Sequence, residues 1–481
     1  MNTAEFVRQN RQADVETLAL RMRQYPEVDA AFALQQIAGW QKAREKLPEL
    51  AEIRRVQEVQ GVQEVQEWLW PKRLSLEQCS SEVTAKYKRG VIGNGYGLQV
   101  LSSQSSDDRQ SRVQGYRRLV DLTGGLGVDC YYLSPGFREV HYVERDEELC
   151  RLAAHNFALT GRNVTVHNTT AEEWLDNGYG LRVKGYREDT TLFIDPARRD
   201  GHGGKVFRLE DCEPNVVVLL NILRAHARKI MLKLSPMLDI TAAVKSLGGA
   251  AEVHVVAVKN EVKELLVLLE DGRDSLDPEI RCVNLGSGEA EFVFRRSEEG
   301  NSPSEGLTRG GSPSGGKRWN NSLEPSLREP PRPTKVGGTV PKNNSSAIAQ
   351  PAAVEGLETP QNHSTARGAV EGLLVEPNAA ILKAGAFKVF GERYGLRRLG
   401  PNTQLYEAET WNGAVPGRVF RVHQASKEEL KGLRQANVIC RNYPLSAEGL
   451  KKQLKVKDGG ETYVIGTRIG TKPVIFLGVR Q

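Results

Sequence analysis

The sequence predicts an α/β fold built on a parallel sheet, and two neighbouring stretches support this prediction. The first is Tyr116 to Asp121, which predicts a short buried strand that enters the glycine turn Gly124-Gly125-Leu126-Gly127. The second is Glu139 to Glu144, a stretch typical of a strand that ends in a carboxylate. A strand, a glycine turn, a helix and a second strand ending in an acid form the first half of a nucleotide-binding unit.

The residue before the glycine turn distinguishes two kinds of nucleotide. A dinucleotide site needs G-x-G-x-x-G, with a pyrophosphate at the helix N-terminus. Here Asp121 ends the strand, where it would repel a pyrophosphate but attract a cationic sulfonium nucleoside with an amino-acid tail. The run Asp121 to Gly127 resembles motif I of the class I S-adenosylmethionine (SAM) methyltransferases. The alternative is a glycine turn in some other α/β protein.

This resemblance implies a Rossmann-like class I methyltransferase sheet with SAM as the cofactor. It implies that the turn holds the methionine half of SAM and that Glu144 binds the ribose. The turn residues assigned to the cofactor are Asp121, Thr123, Gly124, Gly125 and Gly127. The loop from Asn168 to Glu173 matches the family's adenine loop, with Thr170 and Ala171 as contacts and Thr170 in place of the usual acid.

A second motif, Asp195-Pro196-Ala197-Arg198-Arg199, follows the apolar strand Thr191 to Ile194. Open α/β sheets bind their ligands at this end of the strands, and an acid there can accept a hydrogen bond from a base nitrogen. The motif resembles motif IV of RNA base methyltransferases rather than the adenine-N6 type, because Arg198 replaces the stacking aromatic. The resemblance makes Asp195, Pro196 and Arg198 catalytic and Arg199 a substrate contact.

The strands expected to complete the sheet come later in the chain. Lys229 to Met237 is typical of the fifth strand and carries Lys233, assigned to substrate binding. Glu252 to Glu261 and Val262 to Leu269 predict the antiparallel pair with which the family closes its sheet.

Cysteine placement narrows the chemistry. Carbon-5 pyrimidine methylation requires a thiolate, normally just before a proline in the fifth-strand motif. The matching segment here, Leu234-Ser235-Pro236, has no cysteine, and Cys212 is flanked by acids that disfavour a thiolate. The six cysteines form no C-x-x-C pair, which argues against a zinc site. The sequence therefore favours transfer to nitrogen or oxygen without a metal.

At 481 residues the chain is long enough for two or three domains. No leader and no stretch of membrane-spanning length is evident, so a cytoplasmic protein without membrane contact is expected. Residues 1–90 are predicted to be helical, including a Val-Gln-Glu repeat at Val56 and Val62. The polar run Ser75 to Lys88 either caps a helix through Ser80 or Ser81, or covers the cofactor pocket with Glu82 or Lys86.

The last part of the chain differs in composition and charge. Residues 297–368 are rich in Ser, Pro, Gly and Asn, which predicts a disordered linker or an insertion. Residues 371–481 hold 18 Lys and Arg against 10 Asp and Glu, a net charge of +8, whereas the whole chain carries only +6. Such a module suggests contacts to nucleic-acid phosphates, with Lys451, Lys452 and Lys455 as substrate contacts. An ordinary solvated lysine-rich face is the alternative.

Taken together, these motifs and the segments Glu376 to Ile381 and Leu454 to Gly460 resemble bacterial methyltransferases with a C-terminal THUMP-like domain. The resemblance implies five regions: helical 1–90, methyltransferase 91–296, linker 297–368, ferredoxin-like 369–415 and THUMP-like 416–481. It also implies RNA, either tRNA or rRNA, as the partner.

The sequence thus predicts a SAM-dependent methyltransferase acting on an RNA base nitrogen. Two alternatives stay open. One is a small-molecule or protein methyltransferase with a merely solvated basic tail. The other is a non-catalytic RNA-binding protein that retains SAM. The target nucleotide and the oligomeric state are not predicted.

Overall fold

The computed structural model describes residues 1–59, 62–93, 118–178, 185–198, 208–300, 372–400, 402–410 and 415–481. The N-terminal region comprises α1 (Thr3–Gln9), α2 (Val15–Arg21), α3 (Ala30–Lys46), α4 (Pro48–Ala51), β1 (Arg54–Val59), β2 (Val62–Glu67), α5 (Arg73–Gln78) and α6 (Glu82–Ile92). The helix α6 extends past the limit predicted at residue 90 and packs against the next helix of the chain. The predicted linker lies outside the described residues, apart from residues 297–300.

The Val-Gln-Glu repeat is not helical, so that prediction was wrong. Strands β1 and β2 pair as an antiparallel hairpin, in a register that sets Val56 opposite Val65 and Val59 opposite Val62. The valines of the repeat are β-branched, which favours a strand, and Gly61 between its two copies disfavours a continuous helix.

Among the described residues the central sheet has nine strands, and its order brings the predicted motifs to one edge. Its members and flanking elements are β3 (Arg118–Asp121), α7 (Val128–Leu133), β4 (Glu139–Glu144), α8 (Glu147–Leu159), β5 (Val164–Asn168), α9 (Ala171–Asp176), β6 (Thr190–Ile194), β7 (Ala197–Arg198), β8 (Cys212–Glu213), α10 (Val216–His226), β9 (Lys229–Leu234), α11 (Ile240–Ser246), β10 (Glu252–Val258), β11 (Glu261–Glu270), β12 (Glu279–Leu285) and β13 (Phe292–Phe294). The order is β13-β12-β10-β11-β9-β6-β3-β4-β5, while β7 and β8 form a separate short pair.

Within this sheet β5, β4, β3, β6 and β9 are parallel, and β11 runs antiparallel between β9 and β10. The predicted antiparallel pair is therefore present. Every residue of β6 is buried, as expected for a strand covered by helices on both faces. The carboxyl ends of β3 and β6 carry Asp121 and the Asp195 turn to the same edge.

The C-terminal module is a second, mainly antiparallel sheet of seven strands. Its elements are β14 (Gly372–Pro377), α12 (Ala379–Ala384), α13 (Phe387–Tyr394), β15 (Arg397–Arg398), β16 (Tyr406–Ala408), β17 (Gly417–Gln424), α14 (Lys427–Gly432), β18 (Asn437–Cys440), α15 (Ala447–Leu454), β19 (Thr462–Ile469) and β20 (Lys472–Arg480). The strand order is β15-β16-β14-β17-β20-β19-β18. The last two strands, β19 and β20, pair antiparallel.

The two sheets share one hydrophobic core. Helix α12 packs against β10, β11 and β12, and its Ala380, Ile381 and Ala384 are fully buried. Polar contacts fix the same junction: the Asn378 amide donates to Glu289 (2.8 Å), and the Ala379 N–H donates to the side chain of Asn260 (2.8 Å). The C-terminal module is thus docked on the central sheet rather than tethered beside it.

Within the described part of the chain, no helix is both long enough and apolar enough to cross a bilayer.

We expect Asn378→Ala to destabilise the protein by about 2 kcal/mol. Its side chain caps α12 by accepting from the Ile381 N–H (3.1 Å), and it is buried at the junction of the two sheets. The measurement is the free energy of unfolding in urea. The matched control is Asn2→Ala, which removes an exposed cap from α1 and should cost about 0.5–1 kcal/mol. Equal losses in the two variants would show that the buried junction contributes nothing.

Candidate active site

The glycine turn after β3 lies directly over an aromatic ring. A Cβ added to Gly124 would lie 2.2 Å from the ring of Tyr142, so only glycine fits there. The Tyr142 hydroxyl donates to the carbonyl of Gly125 (2.6 Å) and fixes the turn from below. Gly127 has φ 82° and caps α7, with Phe157 3.0 Å from the position of a Cβ. These close contacts hold the turn in one conformation, which only glycine can adopt at Gly124 and which favours glycine at Gly127.

Asp121 lies behind this turn and is completely buried. One oxygen accepts from the Thr123 N–H (3.1 Å), and Oδ2 has no hydrogen-bond partner among the described residues. Burial raises the pKa of this carboxyl well above its usual range, and the nearby carboxylates of Asp129, Asp195 and Glu144 add to the shift. An unpartnered buried carboxyl oxygen among other acids suits a positively charged ligand.

Glu144 and Thr170 lie on the same side of the site but are both engaged. The Glu144 carboxylate accepts from the Gly125 N–H (2.8 Å) and from the Asp146 N–H (2.9 Å). Each carboxylate oxygen keeps a further lone pair, so ribose hydroxyls can still bond to it. The Thr170 hydroxyl caps α9 by accepting from Glu173 N (3.1 Å), and the Thr169 and Thr170 N–H groups donate to Glu144 and Glu173.

These elements surround one cavity of about 730 Å³. One side is formed by Thr123, Gly125, Glu144, Thr170, Ala171 and Glu172, and the other by Asp195, Pro196, Lys233, Ser235, Pro236 and Glu264. Of the predicted cofactor residues, Thr123, Gly125, Glu144, Thr170 and Ala171 line the cavity, whereas Asp121, Gly124 and Gly127 do not. The volume is sufficient for a nucleoside cofactor together with part of an acceptor.

Asp195 connects the two sides. Its backbone N–H donates to the Thr123 hydroxyl (2.7 Å), which ties the turn after β6 to the glycine turn after β3. Its carboxylate forms an ion pair with Lys233 of β9, whose side chain is 12% exposed. Burial works to lower the pKa of Lys233, but Asp195, Asp129 and Glu264 together hold that pKa above its ordinary value. Lys233 is therefore a cation, and it balances Asp195.

The remaining motif residues are placed as follows. Pro196 is buried beside Asp195. Arg198 lies in β7, where its backbone pairs with Cys212 of β8. Arg199 lies outside the described residues. Lys451, Lys452 and Lys455 belong to α15 and its C-terminal cap, and within the described chain the cavity wall contains no residue of the C-terminal module.

The polar run before α6 supplies part of the wall, though not through the residues expected. Ser81 caps α6 by accepting from the Thr84 N–H, as predicted. Glu82 and Lys86 face Glu49 of α4 instead of the cavity, so their assignment to the pocket was wrong. The residues that line the cavity are Ser75, Gln78 and Cys79. They end a short helix, and no local pattern in the sequence marks them.

The site can hold SAM and shows no arrangement for a metal. Gly125 presents bare backbone to the cavity, and the buried Asp121 Oδ2 has no donor among the described residues. A sulfonium nucleoside with an ammonium group meets both conditions. Among the described residues no group of three or more His, Cys, Asp or Glu side chains is placed to hold a metal ion.

We expect Gly124→Ala to abolish measurable SAM binding, because the new methyl group would collide with the Tyr142 ring and displace the turn. Isothermal titration calorimetry with SAM measures this. Gly432→Ala is the control, since its Cβ would meet no atom within 4 Å. A Gly124→Ala variant that binds SAM like the wild type would show that the turn does not cradle the cofactor.

Comparison with known proteins agrees with this fold. Residues 373–416 match the model of a ferredoxin-like domain and residues 417–480 that of a THUMP domain-like family. A crystal structure of a putative methyltransferase from Porphyromonas gingivalis W83 covers 99% of this chain and 96% of its own, with 28% identity and a TM-score of 0.68. Two uncharacterized S-adenosylmethionine-dependent methyltransferases of Mycobacterium tuberculosis, from strains CDC 1551 / Oshkosh and H37Rv, are each 22% identical over 385 residues, 77% of this chain and 83% of theirs.

The sheet order, the glycine turn and these likenesses lead to one conclusion: the chain is a SAM-dependent methyltransferase that carries ferredoxin-like and THUMP-like domains at its C-terminus.

Proposed function

We propose that this enzyme methylates a nitrogen of an RNA base and that its basic C-terminal module holds the RNA. The observation that carries the proposal is Asp195, a carboxylate on the cavity wall that is tied to the cofactor turn through Thr123 and paired with Lys233. A fixed carboxylate at this point suits an acceptor that presents an N–H group, as many base nitrogens do.

The proposal gives each wall of the cavity a role. Thr123, Gly125 and the turn behind them would hold the methionine half of SAM, and Glu144 would hold its ribose. When bound, the cofactor supplies a methyl group that is already activated by the sulfonium charge. The protein therefore needs to position the acceptor and to exclude competing groups rather than to activate the donor.

Asp195 would orient the acceptor. Its carboxylate accepts a hydrogen bond from the N–H of the base, which directs the nitrogen lone pair at the methyl carbon. The nitrogen–carbon bond would form as the sulfur–methyl bond breaks, and the hydrogen bond from the more positive nitrogen to Asp195 would strengthen, which gives the N–H proton an acceptor along which to leave. Lys233 keeps the carboxylate in place through their ion pair. Pro196, buried beside it, restricts the turn.

The cysteines on the wall fit nitrogen rather than carbon-5 chemistry. Carbon-5 transfer needs a thiolate within reach of the base. Burial raises the pKa of the Cys79 thiol, which favours its neutral form. The segment Leu234-Ser235-Pro236 at the end of β9 supplies a serine to the cavity, not a cysteine.

RNA is proposed as the partner because of the charge on the C-terminal module. Helix α15 ends in basic side chains, and Lys455 closes it in the left-handed conformation. Lys451 is neutralised by an ion pair with Asp458. Lys452 and Lys455 are exposed, and neither has an ion-pair partner among the described residues. These two lysines are thus available for phosphates.

The two alternatives predict different behaviour. A small-molecule or protein methyltransferase would be active without RNA and would show no salt-sensitive RNA binding. A non-catalytic RNA-binding protein would bind SAM without turnover.

We expect Asp195→Ala to lower methyl transfer roughly 10²–10³-fold while SAM still binds, because it removes the group that orients the acceptor. The measurement is transfer of the radiolabelled SAM methyl group to total tRNA and rRNA from a strain that lacks this gene. Asp176→Asn, an exposed aspartate at the end of α9, is the control and should transfer label normally. Absence of label with the wild-type protein, despite SAM binding, would refute RNA methylation for these substrates.

We expect the double variant Lys452→Gln/Lys455→Gln to weaken RNA binding and to reduce the slope of log K against log salt by roughly 0.7–0.9 for each phosphate that the lysines no longer neutralise. Filter binding at several salt concentrations measures both. The control is Lys451→Gln, whose ammonium is already paired with Asp458 and whose removal should change the slope less. An unchanged slope in the double variant would mean that α15 does not contact the RNA backbone.

A further inference from the structure

A buried group of charged side chains supports the wall on which Asp195 lies. We call it the charge cluster, and it consists of Ser80, Lys88 of α6, Asp129 of α7, Lys233 of β9, Glu264 of β11 and Asp195 after β6. Its most interior member is Lys88, whose side chain is 0% exposed. The cluster joins the N-terminal region to the catalytic sheet at the acceptor end of the cavity.

Lys88 uses all three of its N–H groups inside the cluster. It donates hydrogen bonds to both oxygens of Glu264 (2.8 and 3.0 Å) and to the hydroxyl of Ser80 (3.0 Å). It also forms an ion pair with Asp129 (3.2 Å). The Ser80 hydroxyl in turn donates to Asp129 (2.6 Å). A fully buried ammonium with this set of partners contacts neither cofactor nor acceptor, so any effect on the reaction must pass through its neighbours.

Asp129 is the neighbour that matters, because it lies between the two lysines. It is 3.2 Å from the Lys88 ammonium and 4.0 Å from the Lys233 ammonium, while Lys233 is in closer contact with Asp195. Lys233 can therefore form an ion pair with either Asp129 or Asp195. Which of the two it pairs with depends on how far Lys88 already neutralises Asp129.

We propose that Lys88 is a positioning residue for methyl transfer. Because Lys88 neutralises Asp129 and Glu264, Lys233 stays paired with Asp195, and this ion pair fixes the carboxylate that orients the acceptor. The proposal rests on the role of Asp195 given under the proposed function.

The physical reason is the cost of a buried unpaired charge. Without Lys88, the carboxylates of Asp129 and Glu264 would be buried with no ammonium bonded to them, which is strongly unfavourable. The lysine side chain is a flexible four-carbon stem. Lys233 can therefore move the short distance to Asp129, and Asp195 then loses its cation and its fixed orientation.

Three variants test this. Lys88→Met removes the cation. Lys88→Met/Asp129→Asn also removes the acid that competes for Lys233. Lys88→Met/Glu264→Gln removes the other partner of Lys88 instead. The two double variants carry the same number of charges in the cluster, so they form a matched pair.

Crystal structures and methyl transfer provide the readouts. In Lys88→Met we expect Lys233 to bond to Asp129 and to leave Asp195, with methyl transfer lowered about 10–100-fold, as for other supporting residues. In the Asp129→Asn double variant we expect Lys233 to be paired with Asp195 again and methyl transfer to be close to that of the wild type. In the Glu264→Gln double variant we expect Lys233 to stay on Asp129 and transfer to stay low.

A purely structural role for Lys88 predicts something different. The two double variants would then recover to the same extent, and Lys233 would occupy one position in both, which overturns the proposal. If Lys88→Met alone does not fold, the comparison of the two double variants still decides. The position of Lys233 requires no acceptor, so this result is independent of whether RNA is the substrate.

Discussion

The parallel pairing of β3 with β6 is the constraint on which the catalytic site depends. Its register sets Asp121 opposite Phe193, so the carboxyl ends of the two strands lie side by side. Two residues further along each chain lie Thr123 and Asp195, and they meet through a hydrogen bond of 2.7 Å. A shift by one residue would turn every side chain of one strand to the opposite face and separate the glycine turn from the Asp195 turn. The apolar faces of both strands, buried by helices, make such a shift costly.

The features predictable from the sequence are those that leave a local pattern. The buried strands of a parallel sheet are continuous apolar runs, and glycines mark a turn that lies over an aromatic ring, as Gly124 does over Tyr142. The Ser81 and Asn378 caps were predictable for the same reason, since a helix cap is decided within four residues. The Rossmann-like sheet and the antiparallel pair that closes it followed from the resemblance of the two motifs.

What could not be predicted depends on residues far apart in the chain. Lys88 donates to Ser80, 8 residues away, and to Glu264, 176 residues away. No periodic pattern in the sequence could predict a contact over the longer separation. Lys86, two residues earlier, looks equally suited to the pocket in the sequence but points to Glu49. The helix prediction for the Val-Gln-Glu repeat was wrong for a different reason. Its valines recur every three residues, which resembles one face of a helix, but their β-branching and Gly61 favour a hairpin.

The junction between the two sheets has a consequence for the continuity of the polypeptide. The short turn Arg296–Glu299 ends one described stretch, and the Glu299 carboxylate accepts from Lys388 N and Val389 N (both 2.9 Å) at the start of α13. Both ends of residues 301–371 are therefore anchored to the same buried core. Because the core itself holds Glu299 close to the start of α13, the two described stretches stay together whatever connects them. A folded chain cut within residues 301–371 would therefore remain one particle, held together by the buried face of α12 and the polar contacts of Asn378.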